Sequence, residues 1–211
     1  DACGNILSAH MEMDPECDQG FRIVVDDQGA HYPILIDPVS STHNVLLTGT
    51  VASGWFGASV STAGDLNGDG YSDVVVSASQ AGNGQAAEGI VYVYYGSPTG
   101  IPSTPNVVLE SNQTNAQFGY SVANAGDVNG DGFGDLLIGA PTWESDVAQN
   151  QEGAGFIFLG SGTGISTTPD VILQSNTTLH YMGYSVASAG DINNDGYSDV
   201  ICGAWLAPIP G

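Results

Sequence analysis

Three times in this chain, the same nine-residue pattern of carboxylates and glycines runs straight into an apolar, mostly β-branched segment. Residues 65–73 lead into Val74, Val75 and Val76; residues 127–135 into Leu136, Leu137 and Ile138; residues 191–199 into Val200, Ile201 and Cys202. The opening aspartates, Asp65, Asp127 and Asp191, stand 62 and then 64 residues apart. Self-similarity at such a period marks a chain built from stacked copies of one supersecondary unit, none of which can bury its apolar face alone.

The residue types in the pattern point to calcium. Position 1 is Asp65, Asp127 or Asp191; position 3 is Asn67, Asn129 or Asn193; position 5 is Asp69, Asp131 or Asp195; position 9 is Asp73, Asp135 or Asp199. Calcium takes about six to eight oxygen ligands, and alternate positions of a tightly turned loop aim their oxygens inward. Gly70, Gly132 and Gly196 at position 6 permit the turn, because glycine takes positive φ at little cost. The backbone carbonyls of Tyr71, Phe133 and Tyr197 at position 7 complete the expected ligand set, giving three ions in all. A helical EF-hand loop requires Glu at position 12, whereas here that position is Val76, Ile138 or Cys202 inside a strand-like run. Plain polar turns are the alternative reading. They would account for one copy, but hardly for three with the same three carboxylates. Such carboxylates repel one another until a cation sits among them.

Charge narrows the partners. The chain carries 23 acidic residues against a single Lys or Arg, which is Arg22, for a formal charge of −22. Three divalent ions would leave it strongly acidic, so nucleic acid and anionic membrane are excluded as partners. With 42% hydrophobic residues in regular runs, disorder is not the reading. No run of about 18 apolar residues is present, so no membrane span is expected, and no signal peptide is recognisable. A start at Asp1 beside Ala2 and Cys3 suits a mature secreted form, and millimolar extracellular calcium suits constitutive loading. Cys3 and Cys17 are the candidate disulfide pair, with two free thiols as the alternative. Cys202 aligns with Ile138 and reads as a small buried apolar residue; a Cys3–Cys202 or intermolecular bond is its other arrangement.

Taken in order, residues 1–20 read as an irregular lead-in, in which His10, Met11 and Met13 are a weak metal candidate. Residues 21–25 and 32–36 read as strands joined by a turn at 26–29, and 45–47 as a further strand. From there the repeat holds position by position: Phe56-Gly57 matches Phe118-Gly119 and Met182-Gly183, and Ser59-Val60 matches Ser121-Val122 and Ser185-Val186. Each period reads as strand, acidic loop, strand, variable loop, strand, turn, strand, with no helical period, so the chain is all-β. Ile90, Val91, Tyr92, Val93 and Tyr94 leave no polar side. A sheet buried on both faces belongs between other sheets, as in radially stacked propeller blades, which also protect their edges. The expected organisation is an irregular segment at 1–20, N-terminal strands at 21–47 forming an outer half-blade, blades at 48–109 and 110–173, and the first half of a third blade at 174–211.

These residues resemble the FG-GAP repeat, the blade unit of the integrin α-chain β-propeller and of many bacterial surface proteins. The resemblance rests on Phe118-Gly-Tyr-Ser-Val122, on Ala125-Gly126 followed by 127–135, and on Gly139-Ala-Pro141. It covers about residues 43–205. The first copy has Ser77-Ala-Ser79 for Gly-Ala-Pro, and the third has Met182 for Phe and Trp205 for Pro. The resemblance implies four-stranded blades with calcium between strands one and two, commonly seven to a ring.

Three classes of function follow. The first is a secreted, calcium-locked structural or adhesive protein, in which the split half-blades complement each other between copies and build a filament. The alternative is a fragment of a longer surface propeller acting as a ligand-binding head for an extracellular protein or glycan, with Trp55, Trp205 and above all Trp143 as surface candidates; packing is the other reading of those rings. The last is the non-catalytic domain of a secreted hydrolase. Catalysis by this chain is not expected. His10, His31, His43 and His180 form no triad or zinc spacing, and the equivalent Glu88 and Glu152 fall on separate blades. Asn112 and Asn176 head glycosylation sequons at equivalent turns.

Overall fold

The computed structural model describes residues 9–13, 21–25, 45–145 and 150–206, and the chain divides into two units, 1–43 and 44–211. In the first unit, β1 (Ala9–Met13) pairs antiparallel with β2 (Phe21–Val25), Met11 opposite Ile23. The strand expected at 21–25 is present as β2; its partner β1 comes from the lead-in expected to be irregular, where the alternation of apolar and polar residues is short and easily missed. The expected strand at 32–36 and the cysteines Cys3 and Cys17 lie outside the described residues.

The second unit is all-β; among the described residues there is no helix. Two four-stranded antiparallel meanders follow one another. The first contains β3 (Phe56–Gly64), β4 (Asp73–Ala78), β5 (Ile90–Tyr94) and β6 (Val107–Glu110), in that order across the sheet. The second contains β7 (Ser121–Gly126), β8 (Asp135–Ala140), β9 (Ala154–Phe158) and β10 (Val171–Gln174). A two-stranded sheet of β11 (Met182–Gly190) and β12 (Asp199–Ala204) comes last. The sheets meet chiefly through their first strands: β7 lies against both β3 and β11. Sheets that meet through their first strands and follow one another in chain order are consistent with a propeller-like domain.

Period-two alternation decides which face each residue covers. Val75, Val91 and Val93 point from the first sheet into a layer shared with Leu136, Ile138, Phe156 and Phe158 of the second. Val76, Tyr92 and Tyr94 point the other way, under Leu47, Val51, Phe56 and Ile101. Leu137 and Ile157 face the third sheet and pack against Val186, Val200 and Cys202. Every residue of β5, β8 and β9 is buried, as their two-sided apolar sequence requires. The third sheet has no neighbour on its far side among the described residues. Ile201, the counterpart of the fully buried Leu137, is accordingly 56% exposed. Residues 45–47, read from sequence as a strand, have no ladder partner among the described residues; Leu47 serves instead as an apolar lid on the first sheet.

Glycine allows close contact between the sheets. Gly89 and Gly153, each at φ above +70°, sit directly against the backbones of Phe118 and Met182. There the amide of Phe118 donates to the Glu88 carbonyl and that of Met182 to the Glu152 carbonyl, both at 2.9 Å. A Cβ at either glycine would fall about 2 Å from a main-chain atom.

Candidate metal centres

Each acidic loop joins the first strand of a sheet to the second, so all three open at the same end of their sheets. Their shape is set by two left-handed residues. Position 4 is Gly68, Gly130 or Asn194, at φ 72°, 76° and 60°; position 6 is Gly70, Gly132 or Gly196, at 88°, 91° and 93°. Asn is among the few side chains that tolerate this region, so the third loop keeps its curl without the first glycine.

The curl is held by the carboxylates themselves. In the first loop, Asp65 accepts from the amides of Asp69 (3.1 Å) and Gly70 (2.8 Å), Asn67 Oδ1 accepts from Asp69 (3.2 Å), and Asp69 Oδ1 accepts from Tyr71 (3.0 Å). The second loop repeats this with Asp127, Asn129 and Asp131, and adds a 2.6 Å bond from Gly130 to Asp127. The third repeats it with Asp191, Asn193 and Asp195. The Asn amide donates to the position-5 carboxylate at 2.8–2.9 Å in all three.

The last aspartate plays a different part. Asp73 and Asp135 are fully buried. Asp73 accepts from Leu66 within its loop and from Gly96 beyond β5, both at 2.8 Å. Asp135 accepts from Val128 at 2.7 Å and from Gly160 beyond β9 at 2.8 Å. Each therefore fastens the loop between strands one and two to the turn between strands three and four. Asp199 keeps the local bond, from Ile192 at 2.9 Å. Burial pushes the Asp73 and Asp135 carboxyls above the ordinary value of 3.8. Their two backbone donors pull the other way, and the neighbouring carboxylates, Asp65 and Asp69 or Asp131 and Asp127, push up again.

The loops are also tied to one another. The Asp65 carbonyl accepts from Gly134 of the second loop at 2.9 Å, and the Asp127 carbonyl accepts from Ser198 of the third at 2.8 Å. The Phe133 ring lies over Gly68, and the Tyr197 ring over Gly130.

Among the described residues, no three His, Cys, Asp or Glu side chains converge closely enough to form a cation site by themselves. The donor set is nevertheless of one chemical kind. It consists of carboxylate and amide oxygens, each with a lone pair beyond those that accept backbone N–H groups. The sequence's one basic Lys or Arg side chain, Arg22, belongs to the other unit. A hard divalent cation suits such a set, with Asn and main-chain oxygens supplying what the carboxylates do not. Sequence reasoning missed Gly96 and Gly160, whose amides hold the last aspartates from more than 20 residues away. The repeated Ser-x-Thr-Gly turns that follow them, at 97–100 and 161–164, were the available signal.

The remaining candidates separate cleanly. Trp143, expected at the surface, is half-buried and packs edge-to-face on Phe156 at 5.6 Å, while Trp55 and Trp205 are 60% and 64% exposed. Glu88 and Glu152 are fully buried, and each uses one oxygen to hold its own loop: Glu88 accepts from Asn83, and Glu152 from Ser145 at 2.7 Å. Cys202 carries a free, half-buried thiol that burial pushes up, and its sulfur sits over Gly155. Asn112 and Asn176 are exposed at φ 56° and 53°. No helix of the described residues is long and apolar enough to cross a membrane.

A family model described as FG-GAP repeat matches residues 56–94, 118–158 and 182–204. Integrin alpha-IIb of Mus musculus is 36% identical over 169 residues, which cover 76% of this chain and 16% of that protein. Integrin alpha-4 of Xenopus laevis is 38% identical over 157 residues (72% and 14%), and integrin alpha-PS5 of Drosophila melanogaster 36% over 157 (71% and 15%). The chain thus spans less than a fifth of the length of each of these relatives.

Proposed function

The chain is an FG-GAP repeat protein with integrin-α-like repeats, and on that premise we propose that it is a calcium-locked, propeller-type binding module of an extracellular adhesive protein. The observation that carries the reading is the acidic loop, present three times with one hydrogen-bonding pattern. Asp65, Asn67, Asp69, Asp73 and the Tyr71 carbonyl would hold one ion. Asp127, Asn129, Asp131, Asp135 and the Phe133 carbonyl would hold the second, and Asp191, Asn193, Asp195, Asp199 and the Tyr197 carbonyl the third. The positive charge offsets the repulsion of three carboxylates. Binding to the folded state alone then stabilises it by mass action. Extracellular calcium, in the millimolar range, matches modules of this kind. The reading assigns the chain no reaction.

Chelation tests it. A site at about a hundredfold excess of ion over its dissociation constant adds about 2.7 kcal/mol, and in a domain of this size each kcal/mol moves Tm by about 2–4 °C. Excess chelator should therefore lower Tm by at least about 5 °C, and readdition of calcium should restore it. An unchanged melting curve would remove the calcium reading.

A second reading is favoured by β12, which has a ladder partner on one side only among the described residues. An unpaired edge templates strand addition, and a further stretch of chain or a second copy would supply the strand. Self-assembly would appear as a rise in sedimentation coefficient with protein concentration; a constant monomer value rules it out.

A further inference from the structure

At the end of the sheets away from the acidic loops, three residues that precede the Phe-Gly or Met-Gly pairs share an uncommon backbone. Trp55, Gln117 and Tyr181 stand at φ 60°, 55° and 53°. Bulky side chains seldom hold positive φ, and residues that do so cluster at ligand sites. Here all three line a single hollow of about 290 Å³, together with Tyr120, Tyr184 and Trp205. Tyr184 stacks on Trp205 with centroids 5.4 Å apart and meets Tyr120 at 4.8 Å. Trp55 has no ring partner among the described residues.

The hollow shares Gln80, Gln117 and Thr142 with a second hollow of about 490 Å³. Thr114, Asn115, Asn150 and Gln151 contribute to that second wall. Gln80 and Gln117 each bring a side-chain amide to both hollows. The chain carries 23 acidic residues, yet among the described residues none lines the aromatic hollow, and Glu144 is the one charged side chain of the other.

We propose that this groove binds a neutral oligosaccharide of more than one sugar unit. The inference builds on the reading of the chain as a binding module and gives that module its ligand. Sugar rings present an apolar C–H face that lies flat on exposed aromatic rings, and their hydroxyls both donate and accept, as side-chain amides and hydroxyls do. A groove selecting cations in so acidic a chain would place carboxylates beside the rings. The aromatic hollow is lined instead by neutral amides and hydroxyls, with Pro141 beside them.

The test is titration of the full chain in calcium with neutral di- and trisaccharides of glucose, galactose, mannose and N-acetylglucosamine, followed by tryptophan fluorescence and calorimetry. At least one sugar should give a saturable signal, and trisaccharides should bind more tightly than disaccharides. Trp55→Ala and Trp205→Ala should weaken binding at least about tenfold, as losing a stacking platform implies, and Gln80→Ala should weaken it less. Both tryptophans are exposed, so each variant should keep the parental melting curve; Trp143→Phe, in the core, should keep parental affinity. Absence of any sugar signal, or equal affinity in both exposed-Trp variants, overturns the proposal. A response to a hexa-arginine peptide alone overturns it too. If chelation still lowers Tm in the same preparation, the calcium reading survives that outcome, so the two failures are distinguishable.

Discussion

Replacing Asp135 with Asn separates two jobs that the account gives to one carboxylate. In the structure, its oxygens accept from Val128 and Gly160 at 2.7 and 2.8 Å, out of contact with water. An Asn carbonyl can keep one of these bonds, but its NH2 then faces the other N–H. A buried donor left without an acceptor costs about 1–3 kcal/mol. That loss is structural and should appear in chelator as a fall in Tm of about 2–12 °C. In saturating calcium the variant should lose a further increment, up to about 2.7 kcal/mol for a site at a hundredfold excess of ion, because Asp135 is also proposed as a ligand. Urea unfolding of both proteins, each with chelator and with calcium, gives the four free energies required. Equal losses in the two conditions would mean that Asp135 braces the loop without ligating. No loss in chelator would mean that the two backbone bonds are not made.

Other substitutions and conditions test the account independently. Gly89→Ala should destabilise by more than about 2 kcal/mol in a thermal melt, since its Cβ would meet the Phe118 backbone at a positive φ; a neutral result would contradict the close crossing of the sheets. Leu137→Ala, fully buried between the second and third sheets, should cost about 2–5 kcal/mol, whereas Ile192→Ala, at a residue 75% exposed, should change stability by less than about 0.5 kcal/mol. In metal-free protein, the raised carboxyls of Asp73 and Asp135 bind protons more tightly folded than unfolded. Stability should therefore fall as pH rises from 3.8 through the raised folded values, and calcium should flatten or reverse that trend; a metal-free Tm that climbs over the same window would contradict it. The half-buried Cys202 thiol should react with a thiol reagent much more slowly in native protein than in urea, and equal rates would place it at the surface.

Much of the fold was legible because apolar pattern and repeat reinforce each other. Val74 to Val76 and Leu136 to Ile138 are too short to be told from buried helix by composition alone. A preceding acidic turn and a repeat of 62 residues make them second strands, as β4 and β8 are. The curl of the acidic loops was legible too, since glycine or asparagine stands wherever φ is positive within them. What escaped was non-local. Nothing within the acidic loops points from Asp73 to Gly96 or from Asp135 to Gly160, because those bonds require the third strand to have folded back beside the second; only the repeated turns at 97–100 and 161–164 mark the place. The burial of Trp143 escaped for a similar reason: its neighbour Phe156 comes from the far side of a variable loop. The hollow around Trp55 escaped because its residues arrive from three repeats, aimed by backbone angles that Trp, Gln and Tyr do not advertise.

The most direct test of the central claim is a count of bound ions. Chelator-stripped chain titrated with calcium in a calorimeter should bind three ions, and Asp65→Asn, Asp127→Asn and Asp191→Asn should each remove one while leaving the other two in place. A chain that binds no calcium at millimolar concentration, or one whose stoichiometry ignores those three substitutions, would contradict the account.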